Sequence, residues 1–159
     1  MEGIIINKKP VLKNPYLICA WPGMGEVAFK AAQYLVDKLK AEEFAQIDAQ
    51  DFFYPTGSSV QQGILSLPEL PYSKFYYWKN PVTKRGGKPK NFEGKFGGND
   101  LIILLSNAQP DLARAEEYSE RIIHIARSFK VKTIVSFASM PQPVDHTQQP
   151  NIWFSATSA

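Results

Sequence analysis

Gly23 and Gly25, Glu26, Asp48 and Asp51, Gln109 and His146 are the residues whose types and settings could do chemistry. In Pro22-Gly-Met-Gly25 the glycines let backbone N–H groups face a ligand, and a helix amino terminus follows at once, which suits an anion. The motif lacks the third glycine of a dinucleotide fingerprint and the Gly-Lys-Ser/Thr of a P-loop, and Glu26 repels phosphate. Two readings stay open there: a tight turn in which Gly25 takes a positive φ, and a ligand loop. Asp48 and Asp51 sit near the end of a strand region, where carboxylates can bind a metal or a sugar-like hydroxyl; turn formation and capping compete with both roles. His146 lies in a loop after a strand, the right place for a general acid or base, with hydrogen bonding to nearby backbone as the plainer alternative.

Nucleophilic and metal chemistry find no such support. The sequence has no Gly-x-Ser-x-Gly elbow, and its one cysteine, Cys19, lies inside an apolar run rather than at a helix amino terminus. Two distant histidines and one buried thiol do not make a zinc set. His124, four residues after Glu120 on a helix, reads as solvated. The sequence calls for no cofactor and no metal, and the reading leans away from catalysis.

These residues need elements to hold them, and the hydrophobic pattern supplies an α/β order. Gly3-Ile-Ile-Ile6 predicts a short strand, and Tyr16 to Trp21 a longer one entering the glycine corner. From Glu26 the apolar Val27, Ala31, Leu35 and Leu39, with Ala28 and Ala32 beside them, predict a helix packed on a sheet. Phe44 to Ile47 leads into Asp48. Ser58 to Leu67 and Lys74-Phe-Tyr-Tyr-Trp78 are expected as antiparallel strands or hairpins added to the main sheet. Asp100 to Ser106 is apolar on both faces, as a strand covered on both sides should be. Asp111 is placed to cap a helix that buries Leu112, Ala115, Ile122, Ile125, Ala126 and Phe129. Lys132 to Ala138 and Asn151-Ile-Trp-Phe-Ser155 are read as two further strands around a proline-punctuated loop.

With 159 residues the chain has the size of one domain with a real core. Its formal charge of +3 is local: residues 79–95 hold six bases and one acid, which leaves twelve bases and fourteen acids elsewhere. Residues 79–99, with their glycines, have the composition of a flexible basic insertion loop, and nucleic acid is therefore an unlikely partner. No apolar run reaches the ~18 residues that span a bilayer, and a lone buried cysteine suits a reducing compartment, so the expectation is a soluble, cytoplasmic protein. A strand at 151–155 with no helix after it leads to the expectation of a carboxyl-terminally incomplete domain.

Several pieces together resemble the PAC2 family: Leu-Ile-Cys-Ala-Trp-Pro-Gly-Met-Gly at 17–25, Ala-Ala-Gln-Tyr-Leu at 31–35, Ile-Asp-Ala-Gln-Asp-Phe-Phe at 47–53, Asp-Leu-Ile-Ile-Leu-Leu-Ser-Asn-Ala-Gln-Pro at 100–110, and His-Thr at 146–147. The resemblance implies a three-layer α/β sandwich with a mixed, largely parallel, phosphorylase/hydrolase-like sheet, and self-assembly into homo-oligomers. It also implies a non-enzymatic chaperone or scaffold like the proteasome assembly chaperones, with proteasome-like subunits as protein partners. The ending Ser155-Ala-Thr-Ser-Ala159 departs from the hydrophobic-Tyr-x docking tail that some members carry. The alternative reading is a small-molecule, nucleoside- or phosphate-like, binding protein or enzyme in which Gly23, Gly25, Asp48, Gln109 and His146 converge at one sheet edge.

Overall fold

A computed structural model describes residues 3–49, 52–54, 59–66, 70–81, 98–143, 145, 147–149 and 151–157. Six strands make the main sheet: β1 (Ile4–Ile6), β2 (Tyr16–Ala20), β3 (Glu42–Ile47), β6 (Ser73–Trp78), β7 (Leu101–Ser106) and β8 (Ile134–Ser136). Their order is β1-β3-β6-β7-β2-β8. β7, β2 and β8 pair in parallel, whereas β1, β3, β6 and β7 pair antiparallel. The sheet is therefore mixed, and β2, β3, β7 and β8 all point the same way.

Each central strand alternates its side chains between two cores, because successive residues of a strand face opposite sides. Leu17, Cys19, Phe44, Phe75, Tyr77, Ile102 and Leu104 face α2 (Ala115–Ser128), meeting Tyr118, Ile122, Ile125 and Ala126. Ala20, Ile103 and Leu105 face α1 (Val27–Leu39), meeting Ala28, Ala32 and Val36. One helix on each side of the sheet gives three layers. β7 is apolar on both faces because both faces are covered.

The helices are placed by their ends. The Asp111 side chain accepts from the Ala113 N–H at 3.0 Å, opening a single 3-10 turn (Leu112–Arg114) that runs into α2, as the sequence predicts. Both helices stop on a lysine with positive φ: Lys40 at 52° and Lys130 at 56°. In each case the next residue's N–H reaches back five positions, Ala41 to the Val36 carbonyl at 2.9 Å and Val131 to the Ala126 carbonyl at 2.8 Å. Ala41 and Val131 pack against the two cores, so the reversal is held by backbone and apolar contact together.

Several expectations need correcting. Val27 and Ala31 are exposed, and α1 is rotated so that Ala28, Ala32 and Val36 meet the sheet; alanine's small side chain lets the helix lie close to β7 and β2. Leu112 is 90% exposed because it sits in the 3-10 turn, before the regular stepping of α2 begins. His124 is half-buried rather than solvated. Residues from 58 to 67 contribute a hairpin, β4 (Ser59–Gln61) and β5 (Ile64–Ser66), that forms a two-stranded sheet of its own. Gln62 and Gly63, both at positive φ, make its tight turn. Residues 151–157 are irregular, with no strand, and the third expected strand shortens to β8 at the sheet edge. The basic stretch, apart from its flanks at 79–81 and 98–99, lies outside the described residues.

Candidate functional site

Parallel strands β2, β7 and β8 deliver their following loops to one edge of the sheet. The chain leaves β2 for α1 on one face and leaves β7 for α2 on the other, and β2 and β7 are neighbours. Loops that part in opposite directions from adjacent strands open a crevice between them, the place where open α/β sheets bind ligands. A cleft of about 290 Å³ lies there, lined by Trp21, Gly23, Ala28, Gln109, Ser136, Phe137, Ala138 and Ser139.

Its walls are tied together. The Gln109 Nε2 donates to the Pro22 carbonyl at 2.7 Å, joining the loop after β7 to the loop after β2. The Ser139 hydroxyl donates to the Met24 carbonyl, joining the loop after β8 to the same corner. Beneath it runs a directional chain of buried hydroxyls. The Trp21 Nε1, a donor only, gives its proton to the Tyr118 hydroxyl at 3.1 Å. Tyr118 must then donate to Ser73 Oγ at 2.7 Å, which donates to Ser106 Oγ at 3.0 Å, which in turn donates to the Ala108 carbonyl at 2.8 Å or the Tyr72 carbonyl at 2.9 Å. Burial holds the Tyr118 phenol above its ordinary pKa, against the opposite pull of its hydrogen bonds. The chain keeps every hydroxyl satisfied and fixes the Trp21 ring, whose edge-on packing against Tyr118 adds to its orientation.

Of the residues singled out from sequence, Gly23 and Gln109 line the cleft. Gly25 takes φ 62° and turns the chain into α1, without lining the cleft. Glu26 pairs with Lys30 at 3.1 Å on the exposed side of that turn. Asp48 follows β3, two strand spacings or roughly 10 Å from β7, and its N–H bonds the Gly3 carbonyl at 3.0 Å. Asp51 and His146 lie outside the described residues; the flanking Asp145 carboxylate accepts from the Thr147 N–H and hydroxyl, both at 2.8 Å, which hold its pKa below the usual range. Trp21, Ser136, Phe137 and Ser139 were not singled out for the site. Ser136 ends β8 and Phe137 to Ser139 follow it, but their residue types alone do not mark a site; only the position of β8 beside β2 does.

The same edge carries a second feature. Met24 follows β2, Tyr54 follows β3, Leu70 precedes the antiparallel β6, Leu112 follows β7 and Met140 follows β8, and all five are exposed. The β4–β5 hairpin, which lies between β3 and β6 in the chain, also exposes Val60, Ile64 and Leu65. Exposed large apolar residues scattered singly need no explanation, but here they sit in every loop that leaves one edge of the sheet.

The family model described as the PAC2 family matches residues 17–159. The chain belongs to the PAC2 family. This PAC2 chain is similar in fold to the Pyrococcus furiosus protein PbaB, described as an archaeal proteasome activator, at 24% identity over 84% of this chain and 49% of that one, with a TM-score of 0.60. A PAC2 family protein from Streptomyces avermitilis matches at 18% identity over 84% of this chain and 53% of its own, again with a TM-score of 0.60. Pyrococcus furiosus PbaA, described as an archaeal homolog of proteasome-assembly chaperone, matches at 20% identity over 91% and 51%, with a TM-score of 0.56. The PAC2 chain thus spans about half the length of these solved structures. No curated protein matches its sequence significantly. Among the described residues, no helix is long and apolar enough to cross a membrane.

Proposed function

We propose that this PAC2 chain is a non-enzymatic assembly chaperone or scaffold that works in a reducing, cytoplasmic setting and holds a protein partner, of proteasome-subunit type, at the carboxyl edge of its sheet. The observation that carries this reading is the ring of exposed Met24, Tyr54, Leu70, Leu112 and Met140 on loops leaving that one edge. Apolar side chains on a rigidly tied rim suit recognition of another protein's surface, since burying them on contact is favourable and the sheet below does not need to rearrange. PAC2 membership and the printed descriptions of PbaA and PbaB support the choice of partner class. Size-exclusion chromatography of the purified chain with recombinant proteasome α subunits tests it: co-elution supports the reading, and separate elution at micromolar concentrations of both speaks against it.

A second reading is favoured by the cleft. Its position between diverging loops, and a lining of Trp21, Phe137, Gln109, Ser136 and Ser139 with no charged side chain among the described residues, suit a small neutral ring with hydrogen-bonding edges. A thermal-shift screen of nucleosides, nucleotides and phosphate should then find a stabilising compound whose effect is lost in Gln109→Ala. No shift with any of them removes this reading.

A further inference from the structure

The edge of the sheet opposite the cleft is lined by bases from separate segments. Lys79 follows β6, Lys13 precedes β2, and Lys130 and Lys132 stand between α2 and β8. The pairing of Trp78 and Tyr16 with Leu101, and of Leu17 with Ile134, sets these strand ends side by side. The bases therefore run along about 15 Å of edge, three strand spacings. All four are exposed, and among the described residues none is in an ion pair. The acid among them, Asp100, is buried and accepts from the Lys13 and Asn80 N–H groups. Glu42, at the start of β3, pairs with Lys8.

A second cleft, of about 140 Å³, opens within this row, with Asn14, Tyr16, Asn99, Lys130, Lys132 and Thr133 in its walls. Lys130 has a structural reason to be there, since a cation at the carboxyl end of α2 meets the helix dipole. Lys13, Lys79 and Lys132 come from three other segments, and no dipole gathers them. The lining fits a phosphodiester chain. Lysine ammoniums are compact charges that suit phosphate oxygens, whereas carboxylates are matched best by the flat fork of arginine. The Asn14 and Asn99 amides and the Thr133 hydroxyl add donors for phosphate or for the edge of a base. The half-buried Tyr16 ring adds a face on which a base can stack.

We infer that this edge binds a nucleic-acid backbone, with phosphates on Lys13, Lys79, Lys130 and Lys132 and a base against Tyr16. Composition alone makes nucleic acid an unlikely partner, because acids outnumber bases outside residues 79–95. The fold changes that balance by sorting the charges. It sets these lysines on one edge and places Glu26, Asp48, Asp111, Glu116 and Glu117 after the strands, toward the other. Pro81 and Gly98, which flank the rest of the basic stretch, stand next to Asn80 and Asn99 at the same edge. An anionic membrane fits less well, because the exposed Met24, Tyr54, Leu70, Leu112 and Met140 lie at the opposite edge, away from the bases. The inference does not use the apolar rim, so it stands whichever partner the rim receives.

Fluorescence anisotropy tests this on the full chain, with a labelled oligouridylate of about 20 nucleotides titrated at several NaCl concentrations. Each phosphate contact to a single strand contributes about −0.7 to the slope of log K against log salt, so four contacts give a slope of about −3. The double change Lys130→Gln, Lys132→Gln should make the slope shallower by about 1.4 and weaken binding about tenfold at ~50 mM NaCl. If that variant does not fold, Lys13→Gln, Lys79→Gln takes its place. Lys30→Gln, Lys74→Gln removes the same charge from other parts of the surface and should bind as wild type does. No binding by wild type at ~50 mM NaCl overturns the proposal. So does undiminished binding in a folded Lys130→Gln, Lys132→Gln variant, or an equal loss in the two double variants, which would mark an effect of net charge alone. Polyglutamate that competes as well as the oligouridylate would assign the edge to an acidic protein. Phosphatidylserine vesicles that retain the chain while the oligouridylate does not bind would assign it to a membrane, and either result overturns the nucleic-acid reading.

Discussion

The Trp21 indole N–H is held at 3.1 Å by the Tyr118 hydroxyl, so a residue on α2 sets the orientation of a wall of the cleft that lies after β2. Through Tyr118 the relay continues to Ser73 at the start of β6 and Ser106 at the end of β7. Three strands and one helix are thereby registered at the edge where the candidate site sits.

Tyr118→Phe should break that relay while leaving the ring's packing in place. Trp21 and Ser73 each lose a partner in a buried setting, and a buried polar group left unpaired costs about 1–3 kcal/mol. A lower urea midpoint with an unchanged slope is expected, together with a changed Trp21 fluorescence maximum. An unchanged midpoint would mean that water or a rotated side chain replaces the phenol.

The two helix ends offer a gain in stability. Lys40 and Lys130 occupy the left-handed region, which costs an L-residue about 1 kcal/mol and glycine almost nothing. Lys40→Gly and Lys130→Gly should each raise stability by up to about 1 kcal/mol, partly offset by glycine's freedom in the unfolded chain. Calorimetry would register this as a Tm higher by a few degrees, and a fall in Tm for either change would show that the lysine side chain contributes more than its backbone costs.

Asp100 is a structural carboxylate whose worth can be measured. Only 3% exposed, it accepts from the Lys13 N–H at 2.6 Å and the Asn80 N–H at 2.8 Å, fastening the segments before β2 and after β6 to the entry of β7. Hydrogen bonds to charged groups contribute about 1.5–3 kcal/mol. Asp100→Ala should cost at least that much in chemical denaturation. A loss below about 1 kcal/mol would mean that the two amides find other acceptors.

Burial raises the Cys19 thiol from 9.0 to about 12. Below pH ~8.5 both folded and unfolded chains keep the thiol protonated, and the group does not affect stability. Between that value and about 12 the unfolded chain releases the proton first, so stability falls as pH rises through this window. Cys19→Ala should flatten that part of the alkaline profile. Thiol labelling of the wild type at pH 8 should be slow and should speed up with denaturant; rapid labelling of the native protein would contradict the burial.

The sequence made β2, β7 and α2 legible because each carries a pattern that only one element explains: apolar runs bounded by Gly23 or Asn107, and a helical stripe opened by Asp111. α1 was found, with Ala28, Ala32 and Leu35 among its apolar positions, but the outward turn of Val27 and Ala31 was not, since they are as apolar as the Ala28, Ala32 and Val36 that pack; only the tertiary fit to Ile103 and Leu105 chooses between them. Residues 151–155 read as a strand because propensity cannot say whether a pairing edge is within reach. At the site, Gly23 and Gln109 were legible from their places after strands. Ser136 and Ser139 were not, because hydroxyl residues are common and only the order β7-β2-β8 brings them beside Trp21.

The apolar rim as the surface that receives a protein partner is tested most directly by hydrogen-exchange mass spectrometry of the chain with and without saturating recombinant proteasome α subunits. Slower exchange is expected in residues 21–26, 52–54, 107–113 and 139–143, and it should disappear in a Met24→Asp, Leu112→Asp variant of unchanged Tm. Exchange that does not change on mixing, or protection confined to the outer faces of α1 and α2, would contradict the account.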